Sequence, residues 1–599
     1  MAESRSHTRL LAPTAGILAI GAFCGLVVWG LAWGIPGGKR SELEGTSEAA
    51  RNLDAELLKR SWQTWGSRGR RSPLAESFPR HLFNPLRSYH PDEYQVFKSL
   101  GTMSPSRLDF DPKNYIYPSL HTYLVGAALG VCRLVGLVHL ERNLAYYFDH
   151  PDQMGRMYLV GRALSLLAAV GALALTWLAG RRLGRGAGVL AVVVLAAMPA
   201  LCVHSHNLTR DTFTALATTL FFLSCLKLAR EGTPLAYDLA GAAAGLCVAF
   251  QYFAAVLWVM IPLAGLLHRL SGTTTEEART GGRWRTVAVG SGVALVVMAA
   301  VFALACPYHL LHADQFIADF RSETPHVTRG LVGKALSLGW ALHLPRMLPA
   351  LVGWPLTVAV GVGVAWALVR RSAGSWLLLA WLVLWAAVVG LDGRAYSRYY
   401  VGLLPCLALL AADGLVGLGG LVRRLGRWPQ TGIAALALVA LLAPTWVVSW
   451  AWARLYSLEN VRTIAGEWIR ERVPAGARVG MTRWPWQFEM PPIDPRRYRL
   501  VVLATTPEEN PWDVVRLQRL RPDFFVTSSL EFGRIPEDGA GDERDRFWHY
   551  LLASGQMYRV VAKFRVPHPL FGADLAAFPE DMRYVNPTIL VLELKDRRV

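Results

Sequence analysis

Two adjacent carboxylates, Asp92 and Glu93, are the side chains best suited to acid–base chemistry in this chain. They follow His90 and Pro91 in a polar stretch, residues 89–121, between apolar segments of a strongly hydrophobic protein. Ionisable groups beside a bilayer are costly, so their presence favours a functional role. A carboxylate placed there suits a general base that takes the proton from an attacking hydroxyl group.

The two acids are expected to begin a short helix, because Pro91 turns the backbone just before them. Successive side chains on a helix diverge by about 100°. One acid can therefore face a site while the other packs or caps, and the sequence leaves open whether Asp92 or Glu93 is the base. An ordinary helix-capping acid on a polar loop is the structural alternative.

A lysine among aromatic residues follows in the segment 110–118, which reads Phe-Asp-Pro-Lys-Asn-Tyr-Ile-Tyr-Pro. Lys113 can hold a lipid phosphate as a point charge, and Tyr117 is a candidate substrate contact beside it. The alternative is that Lys113 simply extends towards the lipid headgroups.

The densest remaining ionisable cluster is the segment 204–211, His-Ser-His-Asn-Leu-Thr-Arg-Asp, between two apolar helices. His206 and Arg210 are candidate substrate contacts, and Asp211 is a candidate catalytic acid. Two histidines in alternate positions can ligate a metal, but a third protein ligand at suitable spacing is not evident, so a divalent metal is not indicated and no cofactor is expected. A structural Arg210–Asp211 pair and a cap from Thr209 are the alternatives.

Two arginines, Arg394 and Arg398, lie four residues apart in a tyrosine-rich segment between later apolar spans. On a helical turn they would share one face and could grip an anionic headgroup. Interfacial arginines and tyrosines are also common membrane anchors, which is the alternative.

The amino-acid composition indicates the class of protein in which these residues lie. The chain has 599 residues, 53% hydrophobic and only 18% charged, which is far too apolar for a soluble protein of this size. Its formal charge of +18 comes mostly from short basic clusters between apolar spans, as expected for cytoplasmic loops, so nucleic-acid binding is not expected. The seven cysteines include no CxxC pair and are interpreted as small core residues.

About eleven membrane spans of roughly 20 residues are predicted. They cover 10–35, 157–179, 187–204, 212–229, a short pair within 236–268, 286–306, 346–370, 375–391, 399–421 and 431–452. We take the first as an uncleaved span with a cytoplasmic N-terminus. Residues 36–118 then form a first loop outside the cytoplasm that contains both acids.

Loop charges decide how residues 119–138 are interpreted. A span there would put Arg181, Arg182 and Arg185 outside, against the positive-inside rule. We therefore predict an interfacial helix at 119–138. With that choice the later basic clusters all fall on the cytoplasmic side: Lys227 and Arg230; Arg269, Arg279, Arg283 and Arg285; Arg370 and Arg371; Arg423, Arg424 and Arg427.

Hydropathy falls after residue 452, and the pattern becomes that of a small α/β domain outside the cytoplasm. Strands are predicted at 477–482, 500–504, 524–528, 558–564 and 588–594, with helices ending near 470 and covering 513–521. The chain thus divides into a membrane domain, 1–452, and a C-terminal domain, 453–599.

Several of these motifs resemble the family 39 type of membrane glycosyltransferase, in the GT-C superfamily of lipid-carrier-dependent transferases. The most specific pieces are 90–93, His-Pro-Asp-Glu, and 111–120. Further blocks follow in the family's order: 156–182, 204–211, 306–308 with Asp314, and 398–405. The family's Tyr-Pro-Pro is replaced by Tyr117-Pro118-Ser119, and its Thr-Lys-Tyr by Phe250-Gln251-Tyr252, so a lysine contact at position 251 is lost.

The resemblance implies a GT-C-like, mainly α-helical, polytopic protein of the cell membrane. It implies transfer of a sugar from a polyprenyl-phosphate donor to an acceptor outside the cytoplasm, with Asp92 as base, Asp211 as a second acid, and Lys113 and Arg398 as contacts to the carrier phosphate. Arg394 would join these cations in stabilising the departing phosphate.

A rival interpretation is a non-catalytic transporter or binding protein for lipid-linked sugars, which would use the same cations and aromatic residues for recognition alone. The lack of an evident internal repeat and of charged residues in mid-span counts against it. The sequence does not identify the sugar or the acceptor, which is a protein, a lipid or a glycan.

Overall fold

The computed structural model describes residues 2–45, 84, 86–141, 144–184, 186–271, 282–328, 339–392, 396–425, 430–484, 488–506, 509–533, 541–553, 555–567 and 578–595. These ranges exclude residues 46–83 of the predicted first loop. They also exclude Arg185, Arg279, Arg394 and Arg427.

The chain forms two compact units. The helical unit consists of Met1–Leu31, Asn114–Gly126 and Gly161–Ala453, and the sheet unit of Ala32–Lys113, Ala127–Val160 and Arg454–Val599. One boundary coincides with the division predicted at residue 453. The structure adds two earlier segments to the C-terminal residues.

The helical unit is built almost entirely from apolar helices. In chain order they are Ala2–Trp29, Ala187–Ala197, Pro199–Ser205, Asp211–Glu231, Pro234–Phe250, Tyr252–Val259, Met260–Ser271, Gly282–Ala305, Tyr308–Leu311, Ala313–Thr328, Gly339–Val352, Trp354–Arg370, Ala373–Asp392, Ser397–Leu403, Leu404–Leu425 and Gln430–Ser457. Tyr252–Val259 and Ser397–Leu403 are 3₁₀ helices, and Leu120–Leu134 and Pro151–Leu183 have residues in both units.

Seven helices in the described part of the chain are long and apolar enough to cross a membrane, or eight if a bent pair counts as one span. Shorter apolar helices lie at three further predicted spans: Thr14–Trp29, Pro234–Phe250 and Trp354–Arg370. With these the predicted number of about eleven is reached. The protein is a polytopic, mainly α-helical membrane protein, as predicted.

The structure refines two of the predicted spans. The span predicted at 346–370 is interrupted at Gly353, whose φ of +84° ends one helix before Trp354 begins the next. The span predicted at 187–204 is bent by 63° at Pro199, because proline cannot donate a helical hydrogen bond. The segment predicted to be interfacial contains the 15-residue helix Leu120–Leu134, and its position relative to the membrane stays a prediction.

The sheet unit contains a five-stranded sheet: β1 (Arg478–Arg483), β2 (Arg499–Ala504), β3 (Phe524–Ser528), β4 (Tyr558–Phe564) and β5 (Ile589–Leu594). The order is β2-β1-β3-β5-β4; β2, β1 and β3 are parallel, and β5 runs antiparallel to both β3 and β4. The other elements of this unit are Gly38–Glu44, Glu93–Thr102, Pro105–Arg107, Leu144–Asp149, Val461–Arg472, Val514–Leu520, Ser529–Phe532, Glu543–Trp548, His549–Ala553 and Glu580–Arg583.

Apolar side chains cover both faces of this sheet, because neighbouring residues of a strand point to opposite faces. Val526 of β3 and Val591 of β5 are paired and pack in one core with helix Val461–Arg472. Their neighbours Phe525 and Leu592 are paired and pack in a second core on the other face. All five predicted strands and the helix predicted at 513–521 are present within one or two residues, which confirms the α/β prediction for this part of the chain.

Candidate active site

The two candidate acids of the first loop have different surroundings. Helix Glu93–Thr102 begins directly after them, as predicted, and Asp92 is its N-cap residue. Asp92 is half-buried and makes no side-chain capping hydrogen bond, so the capping interpretation does not describe it. Glu93 is fully buried and accepts a hydrogen bond from Ser88 Oγ. Because a base must reach its substrate, this difference favours Asp92 as the base and Glu93 as a supporting residue.

Tyr89, three residues before Asp92, is held by residues distant in the sequence. Its hydroxyl lies 3.1 Å from Thr463 Oγ1 at the start of helix Val461–Arg472. The guanidinium groups of Arg40 and Arg462 lie 4.3 and 5.1 Å from the centre of its ring. These cation–π contacts are strongest where the groups are shielded from water, and Tyr89 is only 2% exposed.

His90, which follows Tyr89, is also held by a residue distant in the sequence and contacts the backbone of Asp92. Its ring meets Tyr584 edge-on, with the centroids 5.7 Å apart. Its Nδ1 accepts the backbone N–H of Asp92 at 3.3 Å, which places the imidazole proton on Nε2 when His90 is neutral. Tyr584, near the end of the sequence, thus packs on the histidine that accepts the backbone N–H of the candidate base, Asp92.

Lys113, the candidate phosphate contact, has an unusual backbone. Its φ of +49° is in the left-handed region, which costs a residue with a Cβ roughly 1–2 kcal/mol. Its backbone N–H donates to Asp111 Oδ1 at 2.9 Å, and the Asp111 N–H donates to Asp109 Oδ1 at 3.1 Å. These two aspartate turns fix the backbone from which the half-buried Lys113 side chain extends.

A buried lysine was missed in the sequence. Lys98 lies on helix Glu93–Thr102, is 4% exposed, and places its Nζ 5.9 Å from the centre of the Tyr94 ring. Arg87 approaches the same ring to 5.4 Å. Burial, and then the charge of Arg87, lower the pKa of Lys98 to about 7. The spacing of four residues between Tyr94 and Lys98, which puts both on one helix face, was the available signal.

In the helical unit the structure brings Arg210 and Tyr117 together. The guanidinium lies 3.8 Å from the centre of the tyrosine ring, and its Nε donates to Gln251 Oε1 at 2.8 Å. Gln251 has an extended backbone, which separates helix Pro234–Phe250 from the 3₁₀ helix after it. Gln251 stands where the family that this sequence resembles has lysine, and it supplies the acceptor that orients Arg210.

Asp211 is the first residue of helix Asp211–Glu231 and is 7% exposed. Its Oδ2 lies 3.7 Å from His204 Nδ1, and His204 Nε2 lies 2.7 Å from Ser397 Oγ. The alternative of a structural pair with Arg210 is therefore wrong, because Asp211 faces His204 instead. The N-cap position belongs to Arg210 and not to Thr209, so the predicted cap is also wrong.

His206 and Arg398 have well-defined contacts of their own. Fully buried His206 donates from Nδ1 to the Cys202 carbonyl at 2.7 Å, within its own turn. The Arg398 guanidinium lies 4.7 Å from the Tyr396 ring centre and 5.4 Å from that of Tyr399. Tyr396 has an extended backbone just before the 3₁₀ helix that begins at Ser397. Arg394 itself lies outside the described residues.

A hydrogen-bonded cluster in the helical unit was not predicted. The Tyr252 hydroxyl donates to the Tyr115 carbonyl at 2.8 Å and lies 2.7 Å from His309 Nε2. The Tyr115 hydroxyl lies 2.8 Å from His312 Nδ1, and its N–H donates to Asp319 Oδ2 at 3.0 Å. The hydroxyl proton of Tyr252 is used on the carbonyl, so His309 donates from Nε2. The only signals were that Tyr252 and the block at 306–308 belong to the family-like segments.

Each unit has its own candidate groups. In the sheet unit, Asp92 is a half-buried carboxylate, and Lys98 and Lys113 follow it in the chain. In the helical unit, Arg210 and Arg398 are each oriented by aromatic rings and suited to binding phosphate. Among the described residues, no three His, Cys, Asp or Glu side chains are grouped so that they could hold a metal ion.

Comparison with known proteins gives one family match. The model of the family described as dolichyl-phosphate-mannose-protein mannosyltransferase matches residues 154–302, which is less than half of the chain. The matched range contains His204, Arg210, Asp211 and Gln251. No curated protein matches the sequence.

Solved structures show distant likenesses. An oligosaccharyltransferase from Archaeoglobus fulgidus, tethered to an acceptor peptide with the NVT sequon, is 13% identical with a TM-score of 0.39; the match covers 74% of this chain and 65% of that one. AglB from the same organism, with an inhibitory peptide and a dolichol-phosphate, is 13% identical with a TM-score of 0.39, covering 74% and 66%. The chain thus spans just under two thirds of these archaeal proteins.

ArnT from Cupriavidus metallidurans, bound to undecaprenyl phosphate, is 13% identical with a TM-score of 0.39, and the match covers 98% of both chains. At such TM-scores these superpositions are too loose to assign an activity. The family match contains two of the blocks that carried the resemblance in the sequence, 156–182 and 204–211. The predicted resemblance is confirmed: this chain resembles the lipid-carrier-dependent membrane glycosyltransferases of the GT-C superfamily.

Proposed function

We propose that this protein is a glycosyltransferase that moves a sugar from a polyprenyl-phosphate donor to an acceptor outside the cytoplasm. The observation that carries the proposal is the family match over residues 154–302, because this range contains Arg210 and Gln251, which accepts its hydrogen bond. The proposal places the protein in the plasma membrane with a cytoplasmic N-terminus.

The proposed reaction is a direct displacement with inversion at the anomeric carbon. The acceptor oxygen forms a bond to that carbon while the bond to the carrier phosphate breaks, and the electron pair stays on the phosphate oxygen. The acceptor's proton passes to Asp92, which its half-buried position supports, in contrast to the fully buried Glu93. Metal and cofactor have no part in the proposal, so EDTA is expected to leave the rate unchanged.

Cations are proposed to stabilise the leaving phosphate. Arg210 is the best supported, because Tyr117 and Gln251 fix the direction of its guanidinium before a ligand arrives. Lys113 and Arg398 are assigned the same role on the resemblance, together with Arg394. Asp211 and His206 are proposed to hold neighbouring groups in place in this region and not to transfer protons.

The experiment uses the full chain in lipid nanodiscs with a polyprenyl-phosphate sugar labelled in the sugar. A cell-envelope extract supplies the acceptor. Free polyprenyl phosphate and labelled acceptor are expected to form in equal amounts. A transporter or binding protein would bind the donor and release it intact, so tight donor binding without free polyprenyl phosphate would overturn the proposal.

A further inference from the structure

Two adjoining cavities lie in the sheet unit, near the edge formed by β2. Their volumes are about 360 and 560 Å³, and Arg496, Arg497 and Tyr498 line both. The larger volume is within the range of roughly 300–1,000 Å³ that is typical of small-molecule sites. None of the residues assigned to the proposed transfer lines either cavity.

The larger cavity is strongly basic. Its lining contains Arg496, Arg497 and Arg499 and no acidic residue. The smaller cavity adds Arg470, with Glu42 and Asp494 as its acids. Arg496 pairs with Asp494, with 3.3 Å between Nε and Oδ1, so an anion bound in the larger cavity would mainly neutralise Arg497 and Arg499.

Arg497 is held in place without a carboxylate partner. Its Nε donates to the Tyr498 hydroxyl at 3.1 Å, and one terminal nitrogen donates to the Arg470 carbonyl at 2.9 Å. Both acceptors are neutral, so the charge of the guanidinium stays available to a ligand. An arginine that is already oriented loses less conformational entropy when it binds a planar or tetrahedral anion.

An indole ring completes the wall of the larger cavity. Trp484 follows β1, and its Nε1 donates to the Thr505 carbonyl at 3.1 Å, which fixes the ring. Trp484 and Leu500 also pack against the apolar core of this face of the sheet. A fixed aromatic ring beside cations suits a ligand with both an apolar face and an anionic group.

We propose that the larger cavity is a binding site for an anionic saccharide, in which the arginines hold a phosphate or carboxylate and Trp484 packs on the sugar ring. A neutral sugar would leave the charges unused, and a cation would be repelled. An ordinary solvated arginine surface would need neither the concave shape nor the fixed indole. The inference concerns binding alone and does not depend on the proposed transfer.

The test measures binding of glucose 6-phosphate to the full chain in phosphatidylcholine nanodiscs by calorimetry, with glucose and inorganic phosphate as comparison ligands. Glucose 6-phosphate is expected to bind more tightly than either. Arg497→Ala is expected to weaken binding about tenfold or more, because hydrogen bonds to charged groups are among the strongest. Trp484→Ala is expected to bring the sugar phosphate down to the affinity of inorganic phosphate.

The matched control is Arg559→Ala. Arg559 is an exposed arginine on β4, at the opposite edge of the same sheet, and it pairs with Glu593 at 2.7 Å. The Arg559→Ala variant is expected to bind glucose 6-phosphate as tightly as the unchanged protein does. Equal loss in Arg559→Ala, or unchanged binding in Arg497→Ala with thermal stability retained, would overturn the site. Loss of binding in phosphatidylglycerol nanodiscs alone would assign the cavity to lipid headgroups and overturn the saccharide assignment.

Discussion

Asp92 and Asp211 both stand at the start of a helix, but their surroundings differ. The segment before Asp92 is fixed by partners distant in sequence, Thr463 against Tyr89 and Tyr584 against His90. Asp211 faces His204, only seven residues earlier, and is 7% exposed.

This difference teaches what each acid can do. Asp92 is half-buried, so part of it stays accessible to an acceptor hydroxyl whose proton it would take. Asp211 is buried beside His204 at the start of its helix. A buried carboxylate that contacts a histidine is better suited to hold neighbouring groups in place than to meet a substrate. Asp92 and Asp211 are therefore proposed to have different duties.

Apart from the loss of the base itself, the largest effect is expected from removing Arg210. Arg210→Ala should lower kcat/KM for the donor by about a hundredfold or more, as for loss of one charged group that stabilises a transition state. Steady-state kinetics with the labelled donor measure this. The matched control is Arg181→Ala, because Arg181 also lies over an aromatic ring, 4.7 Å from that of Trp177. Equal losses in both variants would contradict a specific role for Arg210.

A smaller loss is expected when the C-terminal contact to the first acidic segment is cut. Tyr584→Ala removes the ring that packs on His90, and kcat should fall on the order of tenfold with little change in KM, because a misplaced base slows the chemical step. Tyr584→Phe keeps the ring and should restore the rate. If kcat is unchanged in a folded Ala variant, the C-terminal residues do not position Asp92.

Tyr252→Phe tests the cluster around Tyr115. It removes the hydroxyl that donates a hydrogen bond to the Tyr115 carbonyl and accepts one from His309 Nε2. Leaving such groups without a partner costs about 1–3 kcal/mol, so the thermal midpoint should fall and transfer should slow only severalfold. Thermal unfolding followed by intrinsic fluorescence measures the first effect. Tyr237→Phe alters a core tyrosine of the same unit that has none of these contacts, and it should behave as the unchanged protein. An equal shift in both variants would deny the cluster a structural role.

The smallest effect is a pH-dependent stability change from Lys98. Its pKa of about 7 in the folded protein lies below the ordinary value of a lysine. The unfolded chain therefore binds more protons between pH 7 and 10, and folding stability from this group rises with pH across that window. Lys98→Met removes the buried charge, so its advantage in thermal midpoint should be greatest at pH 7 and below and should shrink towards pH 10. A difference constant with pH would contradict the burial argument.

Much of the architecture could be predicted because it depends on local patterns. The five strands follow from alternation of apolar residues, and the helix at Glu93 follows from Pro91. The interfacial interpretation of 119–138 came from the loop arginines alone. These features need only periodicity, charge bias and turn chemistry.

The contacts within the candidate site could not be predicted, because they join residues far apart in the sequence. Nothing near Tyr89 indicates that Thr463 and Arg462 hold it, and nothing near Tyr252 points to His309. The extended backbone of Tyr396, before Arg398, is likewise not revealed by the spacing of the two arginines. The interpretation of Arg210 and Asp211 as a pair failed because each has a better partner in space.

The most direct test of the division between the two acids compares Asp92→Asn with Asp211→Asn in single-turnover transfer, with donor affinity measured separately. We expect Asp92→Asn to lower the transfer rate by a factor on the order of a hundred to ten thousand, as for loss of a general base, with donor affinity unchanged. Asp211→Asn should slow transfer far less. Retained transfer in Asp92→Asn, or a larger loss in Asp211→Asn, would contradict the assignment of Asp92 as the base.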